Sequence, residues 1–255
     1  MRFERVALGF EHLEYQWAWD LQRQLHDEVV AGGREDTVLL LEHASVYTAG
    51  KRTAVRDRPT DGTAVIDVDR GGRITWHGPG QLIAYPIVRL GEPVDVVAYV
   101  RALEEAVMAV AAAFGVATAR VPGRSGVWVL ANDRGRDRKL CAVGVRVARG
   151  VTMHGIAINA CADLSEYDRI VPCGIDDADV TSLSAETGRR ITPLDIVDLV
   201  ESELDRCLRP LTPGAPGAAG PRATTPAAGR LVDARAADLR RDIGSTLLTD
   251  QRGTR

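Results

Sequence analysis

Lys139-Leu140-Cys141-Ala142-Val143-Gly144-Val145-Arg146-Val147, then Ala148-Arg149-Gly150, then Val151-Thr152-Met153-His154-Gly155-Ile156-Ala157-Ile158-Asn159, reads as two strands joined in a hairpin. Both runs are rich in β-branched and small apolar residues, and the Arg149-Gly150 pair is turn chemistry. A turn centred there places Gly144 opposite Gly155. Two facing glycines leave a strip of sheet without side chains, on which a ligand can lie against backbone; a bulge or a packing constraint explains them equally well.

Working outward, Leu13 to Val30 has apolar residues at Tyr15, Ala18, Leu21, Leu25 and Val29, the spacing of one helical face, ended by Gly32-Gly33. Thr37 to Glu42 is short and apolar and reads as a strand buried on both sides. His43 to Gly50 reads as a loop at its end. Ala64 to Asp69 is a further strand, which runs into the glycine-rich stretch Arg70 to Gln81, and Leu82 to Val88 is the next strand. Pro93 opens a helix with apolar positions at Val96, Val97, Val100, Leu103, Val107, Val110, Ala111 and Phe114 and a stop at Gly115. Gly126 to Leu130 is a short strand and Asn132 to Arg138 a polar surface loop. A short helix is expected within Asp176 to Gly188, and Thr192-Pro193-Leu194-Asp195 starts a capped helix running through Leu208.

The chain has 255 residues, 45% of them hydrophobic, enough for one large core. Nine of the twenty residues from Pro210 to Gly229 are Pro or Gly, so the ordered domain is expected to span 1–209, with 210–255 a disordered, dispensable tail that forms at most a weak helix over 231–248. A net charge of -3 without a basic run argues against nucleic acid. The longest apolar stretch, Ala106 to Ala117, is well short of the roughly 18 residues of a membrane span, and the N-terminus lacks a signal-peptide pattern. A soluble, cytoplasmic protein is expected. The four cysteines, Cys141, Cys161, Cys173 and Cys207, have no C-x-x-C spacing and suggest neither a disulfide framework nor a zinc site.

Free cysteines are usually buried as small hydrophobes, and Cys141, Cys161 and Cys207 read that way. Cys173 lies between Pro172 and Gly174, which suits a thiol presented in a turn. Only two lysines occur, Lys51 and Lys139, and Lys139 opens the hairpin strand. A lone lysine is usually a solvated charge, but one that opens a core-like strand can point into a cleft. A thiol of ordinary pKa, near 8.5, is only a few per cent thiolate at neutral pH. An ammonium about 4 Å away favours the thiolate by roughly 4 kcal/mol before desolvation is subtracted. A Cys/Lys pair is therefore sufficient for acyl transfer without metal or nucleotide, provided the fold brings the two together.

The stretch Arg70-Gly71-Gly72-Arg73-Ile74-Thr75-Trp76-His77-Gly78-Pro79-Gly80-Gln81, followed by Arg138-Lys139 with Ala142-Val143-Gly144-Val145-Arg146, then His154-Gly155-Ile156-Ala157-Ile158-Asn159 and Pro172-Cys173-Gly174, resembles the lipoyl(octanoyl) transferase family. The resemblance covers about residues 5 to 208 and includes Leu41-Glu42-His43 and Tyr47-Thr48-Ala49-Gly50. It implies an α/β fold of the α+β type, a mixed sheet flanked by helices, as in biotin and lipoate protein ligases. It also implies an enzyme that moves octanoyl from the phosphopantetheine thiol of acyl carrier protein to a specific lysine of lipoyl domains, the first step of protein lipoylation. The acceptors would be the lipoyl domains of 2-oxo acid dehydrogenase complexes and the H protein of glycine cleavage. In that scheme Cys173 forms a thioester acyl-enzyme, and Lys139 first lowers the thiol pKa and then acts as general base. Neither ATP nor a metal is expected.

The same resemblance lines the acyl pocket with Arg70, Gly71, Gly72, Arg73, Ile74, Thr75, Trp76, His77 and Gly78, with Ala142, Val143 and Gly144, and with His154, Gly155, Ile156 and Ala157. The N-H groups of Arg70-Gly71-Gly72 and Gly78-Pro79-Gly80 are candidates for meeting an oxyanion. His77 and His154 read as structural or substrate-lining more than as acid or base, and Arg70, Arg73 and Arg146 as alternative contacts for an acidic carrier. Three readings compete: octanoyl transfer through Cys173, an ATP-dependent lipoate or biotin ligase that needs the lysine but no cysteine, and a non-catalytic binder of carrier or lipoyl domains. A papain-like protease is a distant fourth, since no local Cys-His signature appears.

Overall fold

The structure is a computed structural model that describes residues 1–170 and 177–213. Its main sheet contains β1 (Arg2–Arg5), β2 (Thr37–Leu41), β6 (Gln81–Ile87), β10 (Val151–Asn159), β9 (Arg138–Ala148), β8 (Arg124–Val129) and β7 (Ala119–Val121), in that spatial order. A short strand, β11 (Asp179–Val180), runs parallel to the start of β9. The β1/β2 pair is also parallel and the other pairings along the path are antiparallel, so the sheet is mixed as expected. A second sheet, β4 (Val65–Asp67), β3 (Val46–Ala49) and β5 (Ile74–His77), lies beside it.

Helix α1 (Tyr15–Ala31) covers one face of the main sheet, and α2 (Val96–Ala113) with α4 (Pro193–Leu208) covers the other. The stripe of α1 read from its 3.6-residue spacing, Ala18, Leu21, Leu25 and Val29, is buried against Leu39, Ile83 and Tyr85. Gly32 ends α1 in a left-handed conformation, φ 75°. On the other face Tyr99, Leu103 and Val107 of α2 and Ile196, Val200 and Leu204 of α4 pack on Leu40, Leu82 and Ile158. Pro93 does not open α2, because the Asp95 carboxylate accepts the Ala98 N–H and makes Val96 the first helical residue. The start read for α4 holds: Asp195 Oδ2 accepts the Thr192 N–H at 2.7 Å. The short helix α3 (Leu183–Thr187) falls inside the stretch where one was expected.

Two stretches read as irregular contain strands. Val46–Ala49 pairs with both β4 and β5, and Ile74–His77 supplies β5 itself. Each has four residues, too few for alternation to stand out, and each is stabilised by partners distant in sequence. Strand β9 begins at Arg138, whose guanidinium is buried on Glu186 of α3 at 2.8 Å. A 3₁₀ turn, Arg209–Leu211, continues beyond α4, and the Leu211 carbonyl accepts the Gly91 N–H at 2.7 Å. The rest of the expected tail, from residue 214 on, including the weak helix over 231–248, lies outside the described residues.

The hairpin register places Gly144 opposite Gly155, as the turn predicted. The space beside these glycines is already taken, however. A Cβ on Gly155 would stand 2.2 Å from the Ala84 carbonyl oxygen, and one on Gly144 would stand 2.9 Å from Arg70 Cδ. His154, just before Gly155, is left-handed at φ 57° and turns its N–H away from the ladder to Gln22 Oε1 at 2.8 Å. Pairing with β6 is described from Ile156 onward. This local irregularity lets the β6 backbone pass close to β10, so Gly155 is required by packing.

Candidate active site

A cavity of about 290 Å³ opens where the two sheets meet. Ala142, Val143 and Gly144 of β9 and Gly155, Ile156 and Ala157 of β10 line the main-sheet side; Thr75 and His77 of β5 face them. Arg70, Gly72 and Arg73 from the turn before β5, together with Lys139 and His154, complete the expected group. Gly71 lies behind this wall, its N–H bonded to Val145 O at 2.9 Å. The other three expected residues do not line the cavity. Ile74 and Trp76 alternate to the opposite face of β5 and pack with Tyr47, Tyr167 and Ile170. Gly78 sits under the Trp76 ring, where an added Cβ would stand 2.1 Å from a ring carbon.

Lys139 is buried in β9, in register with Trp128 and Val180. Its Nζ lies 5.0 Å from the Trp128 ring centroid. The side chain runs over Gly126, where a Cβ would come within 2.7 Å of Lys139 Cε. Gly126 is held from behind by Glu104 of α2, whose carboxylate accepts the Gly126 N–H at 2.9 Å and pairs with Arg101 and Arg120. Cys173 lies outside the described residues. The described residues that follow it return to the cavity: Asp177 is paired at 2.6 Å with Arg124, which lines the cavity, and Val180 lies beside Lys139.

Arg70 has a structural task that its motif did not disclose. The guanidinium donates to Gly71 O, Arg73 O, Thr48 O and Thr48 Oγ1 at 2.8 to 3.0 Å, which fastens the Arg70–Arg73 turn to β3. Buried in this way, Arg70 is not presented to a carrier protein. Arg146 pairs with Asp69, and Arg73 with the buried carboxylate of Asp57 at 3.3 Å. Two of the candidate oxyanion N–H groups are also engaged, Gly71 with Val145 O and Gly80 with Glu42 Oε2 at 2.7 Å.

Two buried histidines, His77 and His154, line the cavity, and a third, His43, packs beside His77. His43 donates from Nδ1 to Leu13 O at 3.0 Å and accepts the Tyr85 hydroxyl at Nε2. His77 Nδ1 lies 2.7 Å from Gln81 Oε1. His154 Nε2 donates to Asp69 Oδ1 at 2.7 Å, and its Nδ1 is buried without a partner among the described residues. Burial lowers the pKa of all three, although Asp69 opposes the shift at His154. For His43 the value falls to about 4. A histidine that is neutral when folded and protonates near 6.5 when unfolded stabilises the fold above 6.5, and that contribution is lost as pH falls toward 4. Chemical denaturation at pH 7 and pH 5 should therefore show a loss of about 2 kcal/mol from His43 alone. A His43→Gln variant with the same pH dependence as wild type would contradict this.

Tyr15, Tyr85, Arg52, Gly123, Arg124 and Ser125 also line the cavity and were not among the expected site residues. Tyr15 was legible only as part of a helical face, yet its ring stacks on His77, 6.1 Å between centroids and 8° between planes. Burial raises its pKa to about 12, which keeps the phenol protonated. Of the other cysteines, Cys141 and Cys207 are buried as expected and Cys161 is half-buried. Burial raises the thiol pKa of Cys161 and Cys207. Among the described residues no helix is long and apolar enough to cross a membrane.

Residues 14–205 match the family described as the lipoyl protein ligase A/B catalytic domain. An octanoyltransferase of Salinispora tropica is 62% identical over 198 residues, covering 78% of this chain and 93% of its own length. One of Clavibacter sepedonicus is 58% identical over 226 residues, covering 86% and 97%. The fold is similar to that of a bipartite lipoate protein ligase of Thermoplasma acidophilum, with a TM-score of 0.58 at 11% identity, covering 81% of this chain and 82% of that one. On the family match and the two octanoyltransferase relatives, the chain belongs to the lipoyl(octanoyl) transferase family.

Proposed function

We propose that this protein transfers an octanoyl group from octanoyl-acyl carrier protein to a specific lysine of lipoyl domains, through a thioester on Cys173. The observation that carries the reading is the buried Lys139 in the wall of a small cavity that β9 and β10 also line with Ala142, Val143, Ile156 and Ala157. A volume of about 290 Å³ is at the lower end of ligand pockets, roughly 300 to 1,000 Å³, and suits a short acyl chain. Cys173 is four residues from Asp177, which the cavity-lining Arg124 holds.

In this mechanism the Lys139 ammonium favours the Cys173 thiolate, which attacks the thioester carbonyl of the donor. The carrier's thiol leaves with the proton from Lys139. The neutral Lys139 amine then takes a proton from the attacking lysine, the new amide C–N bond forms as the C–S bond breaks, and the thiolate and ammonium are restored. The transfer itself uses no ATP or metal. The acceptors are lipoyl domains of 2-oxo acid dehydrogenase complexes and the H protein, in the cytoplasm.

Intact-protein mass measured after incubation with octanoyl-loaded acyl carrier protein, without ATP, tests the scheme. Wild type should gain one octanoyl group that hydroxylamine removes and a lipoyl domain accepts, and Cys173→Ala should gain none. Transfer that requires ATP and free octanoate would replace this reading with a ligase; no transfer under either condition would leave a binding module.

A further inference from the structure

Behind the cavity lies a chain of buried amides whose polarity is decided by elementary hydrogen-bond chemistry. Asn159 Nδ2 stands 2.9 Å from Thr181 O, and a backbone carbonyl can only accept. The NH₂ end of Asn159 is therefore fixed there, which leaves its Oδ1 facing Gln81. Gln81 must present its own NH₂ to that oxygen, at 2.8 Å, and the same group reaches the Tyr167 hydroxyl at 3.0 Å. Gln81 Oε1 is left facing His77 Nδ1, 2.7 Å away, so Nδ1 carries the imidazole proton. The opposite nitrogen of His77, Nε2, is then a bare lone pair on a ring that lines the cavity together with Lys139. Tyr15, stacked on the ring, holds its plane, and burial keeps the ring neutral.

A fixed lone pair gains nothing from a thioester or a hydrocarbon chain, neither of which has an N–H or O–H to donate. Of the substrate groups that reach the reacting centre of the proposed reaction, the one with such a hydrogen is the primary amine of the acceptor lysine. We propose that His77 is a further catalytic residue for the second half-reaction alone: its Nε2 accepts one N–H of the attacking amine and aims the nitrogen lone pair at the acyl carbon. Gln81 and Asn159 are positioning residues that fix the His77 tautomer. His77 takes no proton; Lys139 does, as the C–N bond forms and the C–S bond to Cys173 breaks.

This assignment rests on the acyl-enzyme reading, and the two half-reactions separate them. Octanoyl-loaded acyl carrier protein is mixed with enzyme and acylation followed by intact mass; the isolated acyl-enzyme is then mixed with a lipoyl domain and loss of the adduct is timed. His77→Phe should still form the acyl-enzyme, which shows that it folds, and should slow transfer to the lipoyl domain about ten- to a hundredfold more than it slows acylation. His77→Gln, which restores an acceptor near the Nε2 position, should recover part of the transfer rate, and Gln81→Met should show a smaller defect in the same step. Equal losses in both half-reactions, undiminished transfer by His77→Phe, or no recovery with His77→Gln would overturn the assignment. Failure of wild type to form any adduct would instead remove the acyl-enzyme reading itself.

Discussion

Replacing Lys139 with methionine is expected to lower octanoyl transfer by about 10²- to 10⁴-fold, the usual contribution of a positioned acid or base. Both half-reactions should slow, because in the proposed scheme the same nitrogen favours the thiolate in the first and accepts the amine proton in the second. Methionine keeps the length of the side chain along the Trp128 ring and over Gly126, while removing a charge from a buried position. Arginine should not rescue activity. It remains protonated at any pH at which the protein is folded, so it cannot accept the amine proton. Single-turnover rates for both steps, with thermal melting alongside, would check this; a methionine variant within tenfold of wild type would remove Lys139 from the mechanism.

Gly155→Ala is expected to be the most damaging small substitution in the hairpin. The added methyl would stand 2.2 Å from Ala84 O and 2.7 Å from Pro86 Cδ, both in the neighbouring strand β6, so β6 and β10 would have to separate. A loss of about 3 kcal/mol is expected, at the upper end of overpacking costs. In a chain of this size that corresponds to a fall in Tm of roughly 10 °C. Gly144→Ala is the informative control. Its methyl meets Arg70 Cδ at 2.9 Å, part of a side chain that can shift, so the stability cost should be smaller. The displaced guanidinium would lose its bonds to Thr48 and Arg73, however, and activity should fall more than stability. Equal melting temperatures for the two variants would contradict the distinction.

The hairpin and its facing glycines were legible because strand period and turn chemistry are local properties. Helices α1 and α4 were legible for the same reason, from a 3.6-residue stripe and a Thr-Pro-x-Asp start. Strands β3 and β5 were not, since four residues such as Val46–Ala49 become a strand only through the partners that tertiary structure supplies. In the site, the motif carried the chemical character of Arg70, His77 and Lys139 but not their connections. That Arg70 fastens a turn to β3, or that His77 is locked through Gln81 and Asn159 to a carbonyl at residue 181, depends on contacts across 22 to 78 positions of chain. Tyr15 and Tyr85 were hidden for a different reason: an aromatic residue on a helical face or in a buried strand looks like core until a cavity is found beside it.

Because the cavity lies between two sheets with separate hydrogen-bond ladders, its width is not set by either ladder. The seam is crossed by the Gly71 N–H to Val145 bond, by Asp69 reaching Arg146 and His154, by His77 reaching Gln81, and by contacts of Arg70. Widening the cavity would therefore stretch these contacts before it broke any strand pairing. The seam thus works as a spring, and its stiffness resides in a handful of side chains, not in the sheets themselves.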